Sequence, residues 1–366
     1  MVKIAVVGAG PAGRNLAMGL AKKGFEVHLY EKDKIGGTCL NYGCTYITGL
    51  REIANIVKNL SIIKNKKVHL EEIISFRDLQ KRIREVLDKI RKKLERETKE
   101  SGVKIIYKEF KNDNSYDYIV YAAGSLREDN YKDITKLKDL PNSILFVGGV
   151  TALEYASIFS DFGCKVYLKT RSFLKDIKDE EIKEFIKNRL IDFKIVDKEV
   201  DADKVFYLIG GKERFKVDRY LRVSDNVFAC GDCIGAGSSP LARYQAKIVA
   251  ENIVRSVNNK ELIKYKKPKL IPRTIRLTLP ISYVGEQTDK FIKVKSSVGQ
   301  GNFFRALNEI GINKIYLKDN KVVGAIAMIP SYEVISYFSQ YLKGIEVYKE
   351  FIEVHPSTDI FYKILR

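Results

Sequence analysis

Tryptophan is absent from this 366-residue chain, and histidine occurs only three times. Neither Cys39-x4-Cys44 nor Cys230-x-x-Cys233 is joined by a further Cys or His at ligand spacing, so no metal site is expected. No apolar run approaches the length of a membrane span, and no membrane association is expected. The N-terminus lacks a basic stretch followed by an apolar run and a small-residue cleavage site, which argues against a signal peptide. A cytoplasmic location follows, and there paired cysteines are expected to be catalytic rather than structural. Zinc-finger spacing, an RNP-like aromatic motif and a basic heptad zipper are all missing, so nucleic acid is not an expected partner. A repeat of solenoid length is missing as well.

What remains is an ordinary globular composition, 45% hydrophobic and 30% charged, with length for two or three domains. The net charge of +19 either draws in anionic substrates and acidic protein partners or reflects a solvated, Lys-rich surface. Abundant Lys, Glu and Ile without Trp is a composition associated with thermophile proteins.

The most informative residues lie near the start. The apolar stretch Ile4 to Val7 is followed by Gly8-x-Gly10-x-x-Gly13, and Glu31 closes the next strand. Such glycines permit a tight turn and close approach of backbone N–H groups to a pyrophosphate, and the acid accepts hydrogen bonds from a ribose hydroxyl. One short segment later comes Gly36-Gly37-Thr38-Cys39-Leu40-Asn41-Tyr42-Gly43-Cys44. A thiolate is the reactive form of cysteine, and an electropositive helix N-terminus favours it.

Together these motifs resemble the FAD-dependent pyridine nucleotide–disulfide oxidoreductases, the family of dihydrolipoamide dehydrogenase, glutathione reductase and mercuric reductase. Further landmarks stand in family order: the segment 116–125 ending in Ala122-Ala123-Gly124-Ser125, then Ala229-Cys230-Gly231-Asp232, Leu279-Pro280-Ile281-Ser282-Tyr283-Val284-Gly285, and Val354-His355-Pro356. The resemblance implies that FAD is held by Gly8, Gly10, Gly13, Glu31, Thr38, Ala123, Gly124 and Asp232, with the helix starting near Leu241-Ala242 pointing at the flavin. It implies that Cys44 faces the flavin, that Cys39 exchanges with substrate, and that His355 moves the proton from across a homodimer interface. Relatives orient that histidine with a Glu five residues on; here position 360 is Ile, and Asp359 is the nearest acid.

The implied fold class is α/β, with two Rossmann-like nucleotide-binding domains and a C-terminal α+β dimerisation domain. Its expected boundaries are an FAD domain over 1–141 with a helical segment 48–102, a shortened NAD(P)-binding-like domain over 142–212, a return to FAD binding over 213–268, and dimerisation over 269–366. Within the helical segment Ser75 can cap a helix with apolar positions Phe76, Leu79, Ile83, Val86, Leu87, Ile90 and Leu94, ended by Gly102. The interleaved basic residues, Arg91 among them, are expected on its solvated side. Val103 to Phe110 and Tyr116 to Tyr121 are expected strands.

The chain also departs from the family. The second fingerprint, Val147-Gly148-Gly149-Val150-Thr151-Ala152-Leu153-Glu154, is one residue short and has Ala152 where a third glycine is expected. Lys169 and Arg171 after the next strand favour a 2′-phosphate if a dinucleotide binds there. The Lys that relatives pair with the counterpart of Glu154 is replaced by Ile47 or Thr48. NAD(P)H is therefore one expected electron donor and a non-nicotinamide reductant the alternative; a non-catalytic flavoprotein subunit is a third reading. The expected partner is a small disulfide or dithiol, or a redox protein, possibly anionic. Cys230-x-x-Cys233 reads as a second thiol pair or as packed core thiols, Cys164 as a packed thiol, and His28 and His69 as structural.

Overall fold

The run Lys3–Val7 forms the first strand, β1, and Ile4, Ala5 and Val6 are fully buried because parallel strands are covered on both faces. The chain continues through α1 (Pro11–Ala21), β2 (Glu26–Tyr30), the five-residue α2 (Gly37–Asn41), α3 (Cys44–Ile63), α4 (Phe76–Glu100), β3 (Lys104–Ile106) and β4 (Tyr118–Tyr121). Next come β5 (Ser143–Gly148), α5 (Val150–Phe162), β6 (Lys165–Lys169), α6 (Glu180–Phe185), β7 (Lys194–Val196) and β8 (Lys204–Leu208). After β9 (Arg222–Ser224), β10 (Val227–Ala229) and α7 (Ser239–Val257), the last part contains β11 (Arg273–Ile275), β12 (Ile281–Gly285), β13 (Phe291–Val294), β14 (Asn313–Lys318), β15 (Lys321–Ala327) and α8 (Ile335–Tyr341). This computed structural model describes residues 1–112, 114–294, 311–328 and 335–344.

Two compact units are formed, one from residues 1–47, 80–135 and 210–267, the other from 48–79, 136–209 and 268–366. In the first, six strands are ordered β3-β2-β1-β4-β10-β9, parallel except for β9. The helices α1 and α7 pack on each other. β3 covers less than the expected Val103 to Phe110, because this edge strand pairs only with β2, through three residues. The α/β class and the parallel Rossmann-type order are those expected from the sequence.

The second unit holds a parallel sheet, β7-β6-β5-β8, and an antiparallel sheet, β11-β12-β15-β14-β13. Residues 152–160 of α5 are all buried, which explains a helix apolar on nearly every side. α8 packs against β12 and β15 around Val284, Ile315 and Phe338. Within that sheet, on β14, Lys314 is buried and stabilised by Asp179 at 2.8 Å and Glu181 at 2.7 Å.

α4 begins where the capping pattern places it, with the Ser75 hydroxyl accepting from the Asp78 N–H at 3.1 Å. Phe76, Leu79, Ile83 and Leu87 are buried, whereas Val86 is 47% exposed. At 100° per residue Val86 falls off the line joining 83 and 87. Arg14 of α1 fastens the far end of α4 through Glu97 at 2.7 Å and Thr98 at 2.8 Å.

Candidate active site

The turn between β1 and α1 is built by close contact. Gly8 has φ +105°, and a methyl group there would lie 2.5 Å from the Ala122 carbonyl oxygen; one on Gly13 would lie 1.9 Å from the Gly8 carbonyl oxygen. Glycine is therefore required at both positions. α1 starts at Pro11 without a side-chain cap, so its first N–H groups remain available to an anion. Glu31 is oriented by the N–H groups of Ala9 and Asp33, each at 2.9 Å. Ala122-Ala123-Gly124 follows β4, which pairs with β1, and Gly124 has open space where a side chain would stand. Asp232 is exposed and accepts from the Gly237 N–H at 3.0 Å, just before Ser238 caps α7; Ala242 lies buried in the first turn of α7. The same unit thus assembles Gly8, Gly10, Gly13, Glu31, Thr38, Ala123, Gly124, Asp232 and Ala242, residues separated by more than two hundred positions.

Cys39 lies in α2, half-buried, and Cys44 is the exposed first residue of α3. The loop between them is anchored by Asn41, whose side-chain amide donates to the carbonyls of Gly37 at 2.9 Å and Ile35 at 3.2 Å. Arg91 of α4 in turn donates to the Asn41 side-chain oxygen at 2.6 Å. Arg91 is therefore not on the solvated side of α4 as expected: besides pairing with Asp88 one turn back, it reaches Asn41 fifty residues away, and nothing in the helical period marks that second contact. Tyr42 hangs its hydroxyl on Asp33 at 2.9 Å; burial and that carboxylate push its phenol up to about 12. Tyr131, also unmarked in the sequence, inserts its hydroxyl beside Gly43.

The second thiol pair differs. Cys230 and Cys233 are fully buried, and Cys233 contacts the Tyr121 carbonyl at 3.2 Å and the Cys230 carbonyl at 3.1 Å. Burial pushes the Cys230 thiol well up and that of Cys233 up to about 11. Thiols so placed are packed core groups rather than nucleophiles. Cys164 is alike, buried and pushed up to about 12. His28 is bonded to the Tyr116 hydroxyl at 2.7 Å, and His69 closes a capping box with Glu72. His355 and Asp359 lie outside the described residues.

In the second unit the turn from β5 to α5 repeats the strand–glycine–helix geometry. Gly148 has φ +155°, a methyl group on it would meet the Leu208 carbonyl oxygen at 2.4 Å, and Ala152 packs below; Gly149 has open space. The shortened fingerprint therefore keeps room at the helix start. Lys169 at the end of β6 is not a lone cation: it meets Glu199 at 3.2 Å, a carboxylate that also accepts from the Tyr207 hydroxyl at 3.0 Å. Arg171 is exposed.

Glu154 is buried in α5 and accepts from the Arg276 N–H at 2.8 Å. Burial pushes its carboxyl up to about 6, against the pull of the Arg276 N–H and the Arg276 and Arg51 cations. Arg51 itself is held by Asp161 at 2.6 Å and Ser157 at 2.8 Å. A carboxyl that binds its proton more tightly folded than unfolded loses stability as pH rises from its ordinary value through the folded one, here from about 4.5 to about 6. Glu154→Gln keeps the acceptor without the charge. It is expected to match the wild type near pH 4 and to exceed its stability above pH 7 by about 2 kcal/mol. Urea unfolding at the two pH values checks this, and an equal difference at both would contradict it.

A glycine-built dinucleotide cradle on a parallel sheet, a cysteine pair beside it and a second strand–glycine–helix turn define a Rossmann-type oxidoreductase. The chain belongs to the pyridine nucleotide-disulphide oxidoreductase family, whose sequence model matches residues 2–198. It is 56% identical to the uncharacterized protein MJ0636 of Methanocaldococcus jannaschii, over all of this chain and 98% of that one. It is 32% identical to a dihydrolipoyl dehydrogenase of Buchnera aphidicola, over 77% of this chain and 75% of the relative. In three dimensions it resembles the HOCl-induced flavoprotein disulfide reductase RclA of Escherichia coli, with a TM-score of 0.78, 19% identity and coverage of 98% and 97% of the two chains. The family binds FAD and uses NAD(P)H, and its members are typically homodimers. The open N–H groups of α1, the carboxylate of Glu31 held at the end of β2 by backbone N–H groups and the side-chain-free space at Gly124 fit FAD. Among the described residues no helix is long and apolar enough to cross a membrane, and no cluster of three or more His, Cys, Asp or Glu could hold a metal.

Proposed function

We propose that this chain is an FAD-dependent disulfide oxidoreductase that passes two electrons between NAD(P)H and a disulfide or dithiol substrate through Cys39 and Cys44, in the manner of dihydrolipoamide dehydrogenase. The observation that carries this reading is the placement of both cysteines, one in α2 and one opening α3, in the unit that also holds the dinucleotide cradle. FAD, when bound, supplies two-electron chemistry that links a hydride donor to a disulfide. The first turn of α1 would hold the pyrophosphate, Glu31 a ribose, and Asp232 the ribityl chain. The N-terminus of α7 near Ala242 would favour negative charge on the cofactor. Cys44, the exposed first residue of a twenty-residue helix, has its thiolate stabilised by the helix N-terminus and is the sulfur on the flavin side. Cys39 attacks the substrate sulfur, and His355 of the partner subunit, oriented by Asp359, moves the proton.

In the second unit Gly148, Gly149 and Arg171 are the nicotinamide-nucleotide candidates, with Lys169 shared by Glu199 and Glu154 as the buried acid of the site. Stopped-flow mixing of the oxidised holoprotein with NADH, NADPH and dithionite tests the reading. Bound flavin is expected to bleach with a nicotinamide donor, faster with NADPH than with NADH, and to develop a long-wavelength thiolate–flavin band. Bleaching by dithionite alone would replace the nicotinamide with another donor; protein unable to hold FAD would end the proposal.

A further inference from the structure

The hydroxyl of Tyr131 is wedged into the loop that joins the two candidate redox sulfurs. Tyr131 opens a short 3-10 turn and is only 4% exposed. A methyl group built on Gly43 would stand 2.7 Å from the Tyr131 hydroxyl oxygen, 3.0 Å from the Thr38 carbonyl oxygen and 3.5 Å from the Cys39 Cα. Gly43 directly precedes Cys44, so the phenol reaches the backbone between one cysteine and the other. Only a residue without a side chain leaves it that space.

The phenol is held there from several directions. The Arg127 guanidinium lies 4.7 Å from the centre of its ring and is forked onto Asp129 at 2.6 and 3.1 Å. Arg127 thus stiffens the segment that carries Tyr131. That segment is tied back by the paired backbones of Leu126 and Lys212, and by Arg214 donating to the Gly124 carbonyl at 2.7 Å. A second contact closes the same loop, with the Lys132 ammonium 4.7 Å from the ring centre of Tyr42. Burial raises the Tyr131 phenol above the ordinary tyrosine range, and charge on Cys44 and Cys39 raises it further against the pull of Arg127. The hydroxyl therefore keeps its proton at neutral pH and is a donor.

We propose that Tyr131 is a positioning residue for the Cys39–Cys44 pair, donating its O–H to the sulfur that bears negative charge once the pair is reduced. This rests on the redox reading of the two cysteines. Two electrons from the flavin break the S–S bond and one proton enters from solvent, leaving one thiol and one thiolate; the phenol gives up nothing. A hydrogen bond to the charged form lowers the pKa of that sulfur and so enlarges its thiolate fraction at neutral pH.

The test is the pH dependence of iodoacetamide alkylation at Cys39 and at Cys44, read by peptide mass spectrometry on the reduced, FAD-loaded protein. Tyr131→Phe is expected to raise the apparent pKa of one of the two sulfurs by about one unit or more, the scale of a hydrogen bond to a charged group. Gly43→Ala, which pushes the hydroxyl away while sparing it, is expected to move the same sulfur in the same direction. Tyr42→Phe, whose hydroxyl is committed to Asp33, is expected to leave both profiles in place. Profiles of Tyr131→Phe and Gly43→Ala that superimpose on the wild type would overturn the proposal alone. If diamide oxidation of the wild type leaves the thiols of Cys39 and Cys44 unpaired, the redox reading falls and this proposal with it.

Discussion

Cys44→Ser is expected to abolish disulfide reduction, a loss of at least about a thousandfold, while FAD stays bound and a nicotinamide donor still bleaches it. The size follows from the chemistry: a disulfide needs two sulfurs, and a serine hydroxyl neither forms the bond nor releases it as a thiolate. The cradle of Gly8, Gly13 and Glu31 makes no use of that sulfur, so cofactor content is expected to be unchanged. The two cysteines are expected to differ spectroscopically. Cys39→Ser leaves the sulfur at the start of α3 in place, so the long-wavelength band survives dithiol treatment; in Cys44→Ser it disappears. A band that persists in Cys44→Ser and is lost in Cys39→Ser would exchange the two roles, and steady-state turnover of a disulfide substrate in both variants would remove the pair from the mechanism.

The second large effect is expected at His355. Thiol–disulfide exchange moves a proton at each step, and among the side chains only histidine has an ordinary pKa near neutrality. His355→Ala is expected to slow exchange about a hundredfold or more, the scale of lost general acid–base catalysis, with FAD binding and flavin reduction intact. A site built across a two-fold interface makes a stricter demand. Mixing His355→Ala subunits with Cys39→Ser subunits is expected to restore activity, because each mixed dimer regains one complete site, Cys39 from one chain facing His355 from the other. Mixed dimers as inactive as their parents, or a fully active monomer, would place the acid–base group elsewhere.

The glycine turn of the cradle was legible in the residues because an apolar strand followed by spaced glycines is a short pattern along the chain, although Ala122, far along it, supplies the contact that requires Gly8. Gly8 and Gly13 are required by contacts with the turn they make and with the next strand of the sheet, and the apolar run of β1 announces a strand covered on both faces. Helix α4 was legible for the same reason: a serine cap, a period of three and four, and a glycine with φ +88° two residues beyond the end. The missing lysine at Ile47 or Thr48 was equally plain. What stands near Glu154 instead was not, since Arg51, Arg276, Ser157 and Asp161 meet only when α5 is packed.

By itself, then, the order of residues determined the dinucleotide turns, the cysteine pair and the α/β class, because backbone torsion, helix period and strand burial are set by neighbours along the chain. Tertiary structure alone decided that Arg91 braces Asn41, that Glu199 shares Lys169, that Cys230 and Cys233 are sealed in the core and that Tyr131 reaches Gly43. Each of these depends on which segments cross, and a side chain carries no mark of a partner far along the chain until burial removes water as its alternative.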